Sequence, residues 1–420
     1  MNKLEGNMAL TTDRPVARKQ AEAVTIGVPT LLFAIAVGVI VTNLFAPQTL
    51  VGLIGPSLGF SAAAGGFIAM VTLLGYAAGL FLLVPLADLV ENRKLVLCML
   101  ACAAMAAAGA ALIPIATSLL TILFILGAAC SAIQILVPLA AAMAPPERIG
   151  RVIGDVMGGL MIGILLSRPL ASFIADVSGW RAFYGISALS MGLLTAVLAR
   201  RLPKRRPEAR SSYSALIASL WHLLRFEPVL LRRSLTASLV MAAFSIFWTA
   251  VALRLAQPPF NLGQRGIAVF ALVGAGSAMA TPLVGRAGDR GWTRTTTIAS
   301  HFIIVAAFVL AAWAHSSADG APFWSLALLG TSAVLLDVGV TGDQTLGRRA
   351  INLLQPEARG RINGLFVGLF FLGGAAGAAL AGLAWASGRW PMICVIGGGF
   401  GIAALVVDWI GPLYGWKDSP

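Results

Sequence analysis

The chain has 420 residues, of which 58% are hydrophobic and 11% are charged, and its formal net charge at pH 7 is +13. A soluble domain carries about 25% charged residues, so this composition excludes a soluble protein and indicates an integral membrane protein surrounded by the lipid bilayer. The positive charge does not indicate a nucleic-acid partner, because the basic residues lie in short loops between apolar segments.

Apolar segments long enough to cross a bilayer, which takes about 20 residues, occur twelve times. We number them span 1 to span 12, and their predicted bounds are 26–49, 60–86, 95–114, 119–143, 152–175, 182–199, 233–255, 265–286, 296–314, 322–347, 362–386 and 391–411. The predicted fold is therefore an all-α membrane protein with twelve transmembrane helices. The four cysteines all lie within spans and show no metal-ligand spacing, so we expect neither a metal site nor a bound cofactor.

The segments outside the spans divide the chain into two halves of six spans each. Residues 1–25 and 412–420 are polar tails, and residues 200–232 form a basic linker between the bundles 26–199 and 233–411. Within the linker, the apolar residues of 214–225 recur at helical spacing, which predicts a helix lying at the membrane surface.

The distribution of Lys and Arg predicts the orientation of the chain. All but five of the 30 lie in the tails or in the loops that follow even-numbered spans. The five exceptions are Arg168, Arg181, Arg254, Arg265 and Arg389. Because basic loops stay on the cytoplasmic side, we expect both termini to be cytoplasmic in a bacterial inner membrane.

The two halves contain a repeat at a constant separation of 210 residues. Pro146-Glu147 recurs as Pro356-Glu357, Gly150-Arg151 as Gly360-Arg361, Gly154 as Gly364 and Trp180 as Trp390, and the same register pairs Gln134 with Gln344. In the loops after spans 2 and 8, Asp88 and Asp289 are separated by 201 residues. Two parallel repeats of six spans predict pseudosymmetric bundles with a binding site at their interface.

The loop after span 8 contains a glycine, an aspartate and basic residues in the order of a known signature. Its sequence GRAGDRGWTR supplies Gly285, Asp289, Arg290 and Arg294. The loop after span 2, VPLADLVENRK, has Asp88, Arg93 and Lys94 but lacks both glycines and the first arginine. With the twelve spans, the half repeat and the basic linker, these loops resemble the gating loops of the major facilitator superfamily.

Three longer stretches resemble the sugar and drug efflux permeases of that superfamily: NLFAPQTL, the segment from PPERIG to SGWRAF, and the segment from LLDVGV to RINGLF. Span 5 also resembles in part the family's antiporter signature, with Pro169 in place and Arg168 replacing its glycine. The resemblance implies alternating access and proton-coupled efflux of a small drug-like or sugar-like solute. Proton-linked import and facilitated diffusion stay open as alternatives, and the resemblance is to monomeric carriers.

Ionisable residues inside spans are the main candidates for transport chemistry, because an arginine in hydrocarbon costs at least about 2.5 kcal/mol. Arg168 in span 5 is expected to face a polar cavity and to bind an anion or a carboxylate. Asp337, deep in span 10, is a candidate proton site or substrate ligand. Asp343 is a weaker candidate, expected to be hydrated near the surface, and His301 is expected to be an isolated structural histidine.

Neutral polar residues in the spans are further candidates for substrate contacts. In the resembling fold, spans 1, 4, 7 and 10 line the central path, and these spans contain Asn43, Gln48, Gln134, Trp248 and Gln344. Each could instead make an interhelical hydrogen bond worth about 0.6 kcal/mol. The glycines of segments 158–163 and 368–382 predict close contacts between helices.

A membrane enzyme or a sensor is the alternative from another functional class. The sequence contains neither an HExxH motif nor a GxxxxGK[ST] loop, and its three histidines are scattered. It also contains no segment that reads as a soluble output domain. These features favour a transporter driven by an ion gradient over an enzyme.

Overall fold

The computed structural model describes residues 30–61, 63–204, 212–317, 320–355 and 358–410. The predicted tails at 1–25 and 412–420, residues 205–211 of the linker and the repeat element Pro356-Glu357 lie outside the described residues. The described residues form α-helices and short 3₁₀ turns, with no strand among them.

Six spans form the N-terminal half. Their helices are Thr30–Ser57, Gly66–Leu82, Asn92–Leu112, Ala116–Cys130 continued by Ile133–Ala142, Ile149–Ser178 and Trp180–Arg201. Most run a few residues past the predicted bounds, because the hydropathy pattern marks only the part that crosses hydrocarbon while the helix continues into the polar interface. Span 5 stays helical through Pro169, which removes one backbone donor beside Arg168.

The C-terminal half repeats this arrangement. Its helices are Pro228–Leu255, Gln264–Ala271 with Ala280–Asp289, Thr293–Ser316, Pro322–Asn352 and Arg359–Ile410. The last helix contains spans 11 and 12, which separate at Arg389, where the backbone takes a φ of 54°. By length and composition, ten of the described helices can cross a membrane, and the double helix 359–410 is one of them.

Span 8 is not the continuous helix that the sequence predicts. A 3₁₀ segment, Leu272–Met279, separates its two α-helical pieces. Gly274 and Gly276 lower the helical propensity of this segment, and Pro282 lacks the backbone N–H that would continue an α-helix from the residues before it. With span 8 counted across this break and spans 11 and 12 counted separately, the chain has the predicted twelve-helix, two-bundle fold.

Small residues bring equivalent helices of the two halves into backbone contact. A Cβ added at Gly163 of span 5 would overlap the carbonyl oxygen of Gly38 in span 1. A Cβ added at Gly373 of span 11, which lies 210 residues later, would overlap the carbonyl oxygen of Ser238 in span 7. The predicted close contacts are therefore present in both halves, although Gly158 is not part of them, since no described atom lies within 4 Å of the position that its Cβ would take.

The two halves meet mainly along spans 2 and 11, spans 1 and 7, and spans 5 and 8. We call the end of the bundle where span 6 ends and span 7 begins the linker side, and the opposite end the far side. On the linker side, a helix at Tyr213–Phe226 buries Leu216, Leu220 and Leu223 and exposes Trp221. Its position matches the linker helix expected at 214–225, and its contact with the membrane surface stays a prediction.

Candidate functional site

Arg168 lies in the middle of the bundle, at the interface of the two halves. Its side chain is 4% exposed, and its Nε donates a hydrogen bond of 3.0 Å to Oε1 of Gln48, a fully buried residue of span 1. This bond stays within the N-terminal half. It orients the guanidinium plane toward the C-terminal half.

Aromatic rings of span 7 contact the guanidinium from the other half. The Arg168 Cζ lies 4.2 Å from the ring centroid of Trp248 and 4.8 Å from that of Phe244, while Phe45 of span 1 lies at 5.5 Å. A desolvated cation–π contact contributes about 2 kcal/mol, most strongly with tryptophan. Arg168 is therefore held by residues of both bundles.

Asp337 is joined to Arg168 through the same tryptophan. Trp248 Nε1 donates a hydrogen bond of 2.9 Å to Asp337 Oδ1, so the indole contacts the cation with its face and the carboxylate with its edge. A Cβ added at Gly274 would lie 2.8 Å from Asp337 Oδ2 and 3.2 Å from a ring carbon of Trp248. The irregular segment of span 8 thus packs directly on the pair, a role for Gly274 that was not predicted although its Gly-x-Gly pattern before a proline signals a helix break.

We call Gln48, Arg168, Trp248 and Asp337 the central cluster. Two buried nitrogen donors in it, Arg168 Nη2 and Gln48 Nε2, have no hydrogen-bond acceptor among the residues that the structure describes. Buried donors in proteins are nearly always paired, so this arrangement suits a molecule that supplies oxygen acceptors. The adjacent aromatic rings suit an apolar or planar body.

Three other predicted residues lie apart from the central cluster. Asn43 Oδ1 accepts a hydrogen bond of 2.6 Å from Ser187 Oγ, which ties span 1 to span 6 inside the N-terminal half. Gln134 donates to the Tyr76 hydroxyl at 3.2 Å, between spans 4 and 2. The side chain of Gln344 is partly buried. Asn43 therefore makes the interhelical bond that was the predicted alternative to a substrate contact.

A cavity of about 350 Å³ lies on the linker side between the two halves. Gln134, Asp88 and Asn92 line it from the N-terminal half, Arg361 lines it from span 11, and Leu220 of the linker helix closes one wall. The predicted candidate Gln134 thus faces this linker-side cavity.

The residues of the two signature loops make different contacts. Asp289 forms an ion pair with Arg349 at the end of span 10. In the first half, Arg93 donates to the carbonyl oxygen of Ala199 in span 6, and Lys94 lies 3.8 Å from Glu91. Side chains of Arg290 and Arg294 are exposed, and Gly285 has open space at its Cβ position. Both loops therefore join helices within their own half on the linker side.

Asp343 and His301 differ from their expectations. Asp343 is 1% exposed and not hydrated, because His301 of span 9 lies 3.0 Å away and Arg233 of span 7 lies 3.9 Å away. His301 is not isolated, since its second ring nitrogen faces Asp408 of span 12 at 3.5 Å. The four residues are far apart in the sequence, and no spacing signal could have linked them. Outside this group, too, the described residues place no three His, Cys, Asp or Glu side chains where they could hold a metal ion.

On the far side, Asp176 at the end of span 5 forms an ion pair of 2.5 Å with Arg265 at the start of span 8. No pattern in the sequence had indicated this contact. It connects the two halves at the end opposite to the linker-side cavity.

Comparison with known proteins agrees with this architecture. The sequence profile of the Major Facilitator Superfamily matches residues 31–342. The uncharacterized transporter YgaY of Escherichia coli (strain K12) is 34% identical over 386 residues, which cover 91% of this chain and 95% of that protein. SCO4007 of Streptomyces coelicolor, which is also named as a transporter, is 29% identical over 90% of this chain and 85% of its own length.

Solved structures of low sequence identity share the fold. A mutant of the nucleoside transporter NupG superposes with a TM-score of 0.73 at 16% identity, covering 90% of this chain and 98% of its own. A D-xylose–proton symporter superposes with a TM-score of 0.70 at 14% identity, covering 92% and 98%. The profile match and the relatives together show that this chain belongs to the major facilitator superfamily of membrane transporters.

Proposed function

We propose that this protein is a secondary active transporter that moves a small organic solute by alternating access, with the central cluster as its substrate site. The observation that carries the proposal is the position of Arg168, a residue of one bundle whose guanidinium rests on Trp248 of the other. When one bundle rocks against the other, a contact between the two bundles changes. The geometry of this site therefore differs between the two orientations of the bundles.

The chemistry of the site supports an oxygen-rich solute with an apolar or planar body. Arg168 Nη2 and Gln48 Nε2 are donors, whereas Phe45, Phe244 and Trp248 offer ring faces. An arginine binds a carboxylate or a pair of carbonyl oxygens by donating two parallel hydrogen bonds to it. A drug-like or sugar-like solute with such a group meets both requirements.

Proton coupling in this proposal rests on Asp337. Arg168 keeps its charge at any physiological pH, whereas a carboxylate can take up and release a proton. Because Trp248 connects the two residues, a proton bound at Asp337 weakens its bond with the indole and alters the surface on which Arg168 rests. We propose that protons move inward as the solute leaves, in agreement with the partial antiporter signature around Pro169.

We further propose the setting in which this cycle runs. The basic residues of the even-numbered loops support cytoplasmic termini in a bacterial inner membrane, which makes the cavity on the linker side the cytoplasmic entrance. Each half of the central cluster comes from the same chain, which supports a monomer as the working unit.

The substrate-site proposal is tested with the Arg168→Ala variant. A solute is first identified by screening a knockout strain for changed sensitivity or accumulation, and its transport is then measured in proteoliposomes. We expect Arg168→Ala to abolish transport while membrane abundance is unchanged. Arg181→Ala is the matched control, because Arg181 also stacks on a tryptophan, Trp180, at 4.2 Å, but at the start of the span 6 helix on the far side. Transport by Arg168→Ala at the control rate contradicts the assignment.

The coupling part is tested with Asp337→Asn. Proteoliposomes with an imposed pH gradient should accumulate the solute when they contain the wild-type protein, whereas the variant should only equilibrate it. Asp176→Asn is the control, since Asp176 is a carboxylate of the far-side ion pair and lies outside the central cluster. Proton movement that still accompanies the solute in Asp337→Asn would exclude Asp337 as the coupling group.

A further inference from the structure

A second group of charges is buried in the C-terminal half, on the linker side and apart from the central cluster. Arg233 Nη2 donates to Asp408 Oδ1 at 2.7 Å, and Arg233 Nη1 lies 3.9 Å from Asp343 Oδ1. His301 completes the group, and all four side chains are at most 5% exposed. We call these four residues, contributed by spans 7, 9, 10 and 12, the charged cluster.

His301 lies between the two carboxylates. Its Nε2 is 3.0 Å from Asp343 Oδ1, and its Nδ1 is 3.5 Å from Asp408 Oδ2. A neutral imidazole carries a hydrogen on only one of its two nitrogens, so one of these contacts would bring a nitrogen lone pair against a carboxylate oxygen. The imidazolium form presents a hydrogen to each carboxylate.

Three buried atoms of the cluster have no hydrogen-bond partner among the described residues: His301 Nδ1, Asp408 Oδ2 and Asp343 Oδ2. The first two face each other across 3.5 Å, which is the distance of an ion pair rather than of a close hydrogen bond. One proton on Nδ1 places a donor and a positive charge between these two atoms.

The charge balance points the same way. Within the buried group, the carboxylates of Asp343 and Asp408 face one permanent cation, Arg233. Arg232 also lies 3.5 Å from Asp408, but its side chain is 20% exposed and therefore reaches solvent, and Arg294 beside it is exposed. A second positive charge on His301 would make the four residues of the charged cluster neutral among themselves, with Arg232 as a further, partly exposed cation beside Asp408.

We infer that the charged cluster is a proton-binding site, in which one proton on His301 Nδ1 bridges spans 9 and 12. The site is separate from Asp337 and needs no transported solute. Loss of this proton would remove the link between His301 and Asp408 and would leave Asp408 held only by the arginines of span 7. In its protonated form, His301 of span 9 thus contacts both Asp343 of span 10 and Asp408 of span 12 and links these three spans.

The other half shows that this fold does not need such charges. The separation between equivalent residues of the two halves identifies the equivalent positions in the N-terminal half. This separation is 210 residues for spans 4–6, 201 for the loop before span 3 and 200 for the Gly38–Ser238 contact pair of spans 1 and 7. They are occupied by Phe33, Leu100, Ile133 and Leu198, all of them buried and apolar. Apolar packing is often as stable as a buried ion pair or more so, which favours a task for the charges beyond holding the helices.

The proton is measured by nitrogen NMR of the full-length protein in lipid, with ¹⁵N-labelled histidine. The chain has three histidines, so His222→Asn combined with His315→Asn leaves the signal of His301 alone. At about pH 7 we expect hydrogens on both ring nitrogens, because each nitrogen faces a carboxylate oxygen. A ring with one protonated nitrogen at this pH overturns the inference.

Two further variants identify the source of the effect. Asp408→Asn should remove one ring hydrogen, because the carboxylate that faces Nδ1 is gone. Asp289→Asn is the matched control, since Asp289 belongs to an ion pair on the same side outside the charged cluster, and it should leave the His301 spectrum unchanged. If Asp408→Asn does not fold, the spectrum of the otherwise unchanged protein decides alone.

Discussion

Replacement of Trp248 by phenylalanine separates the two contacts that this residue makes. In the wild type, the Arg168 Cζ lies 4.2 Å from the indole centroid, and the indole N–H donates to Asp337 at 2.9 Å. A phenyl ring keeps an aromatic face toward Arg168 but has no N–H to donate to Asp337. A hydrogen bond to a charged group contributes about 1.5–3 kcal/mol. The loss of this hydrogen bond is measured as a decrease in the free energy of unfolding in mixed micelles.

A double-mutant cycle isolates this bond from the other effects of each substitution. The free energy of unfolding is measured for the wild type, Trp248→Phe, Asp337→Ala and the double variant. We expect the double variant to lose about 1.5–3 kcal/mol less than the sum of the single variants, because the bond can be lost only once.

Trp390 provides the matched control for this cycle. It is a buried tryptophan in the same half, and its Nε1 donates at 3.0 Å to the carbonyl oxygen of Ala311 rather than to Asp337. Trp390→Phe and Asp337→Ala should therefore be additive within about 0.5 kcal/mol. Additivity of the same quality for Trp248→Phe and Asp337→Ala would refute the link between Arg168 and Asp337 through the indole.

Two further predictions concern packing and ion pairs. Gly163→Val should lower membrane abundance severely, because the valine side chain would overlap the backbone of span 1. Gly158→Val should be tolerated, because the space around Gly158 is open. Equal abundance of the two variants in a quantitative membrane blot would contradict the predicted contact. Arg265→Ala should lower the free energy of unfolding by less than about 1 kcal/mol because Arg265 is 73% exposed. Arg233→Met should lower it by about 3–5 kcal/mol because two buried carboxylates lose their cation, and similar values for both variants would argue against the burial of the charged cluster.

The sequence was sufficient to predict the spans, because hydropathy alone determines which segments can lie in hydrocarbon. It was also sufficient for the close contacts at Gly163 and Gly373, because small residues in matching positions of a repeat require matching neighbours. The break in span 8 was missed, since a hydropathy pattern records the polarity of residues 265–286 and not the effect of Gly274 and Pro282 on the backbone.

The candidate residues show a different limit. Arg168 and Asp337 were identified from their cost in hydrocarbon, but their connection through Trp248 depends on how two bundles pack together. The charged cluster was missed because each of its members looks ordinary alone, Arg233 and Asp408 near span ends and His301 without a neighbour of its kind. Pairings between distant spans become visible only in the folded structure.

The position of Arg168 gains a further meaning from the repeat. Gln48 and Trp248, which hold the guanidinium from opposite bundles, are 200 residues apart, as are Gly38 and Ser238 in the equivalent contacts of spans 1 and 7. The two residues therefore occupy equivalent positions in the two halves, and the guanidinium between them lies close to the pseudosymmetry axis. Parallel repeats are related by an axis along the membrane normal, so a group on this axis borders both bundles, as the proposed substrate site of an alternating-access carrier should. The equivalent of Arg168 itself is Ala378, so the repeat supplies one cation at this position and not two, and the proposed site carries a single arginine.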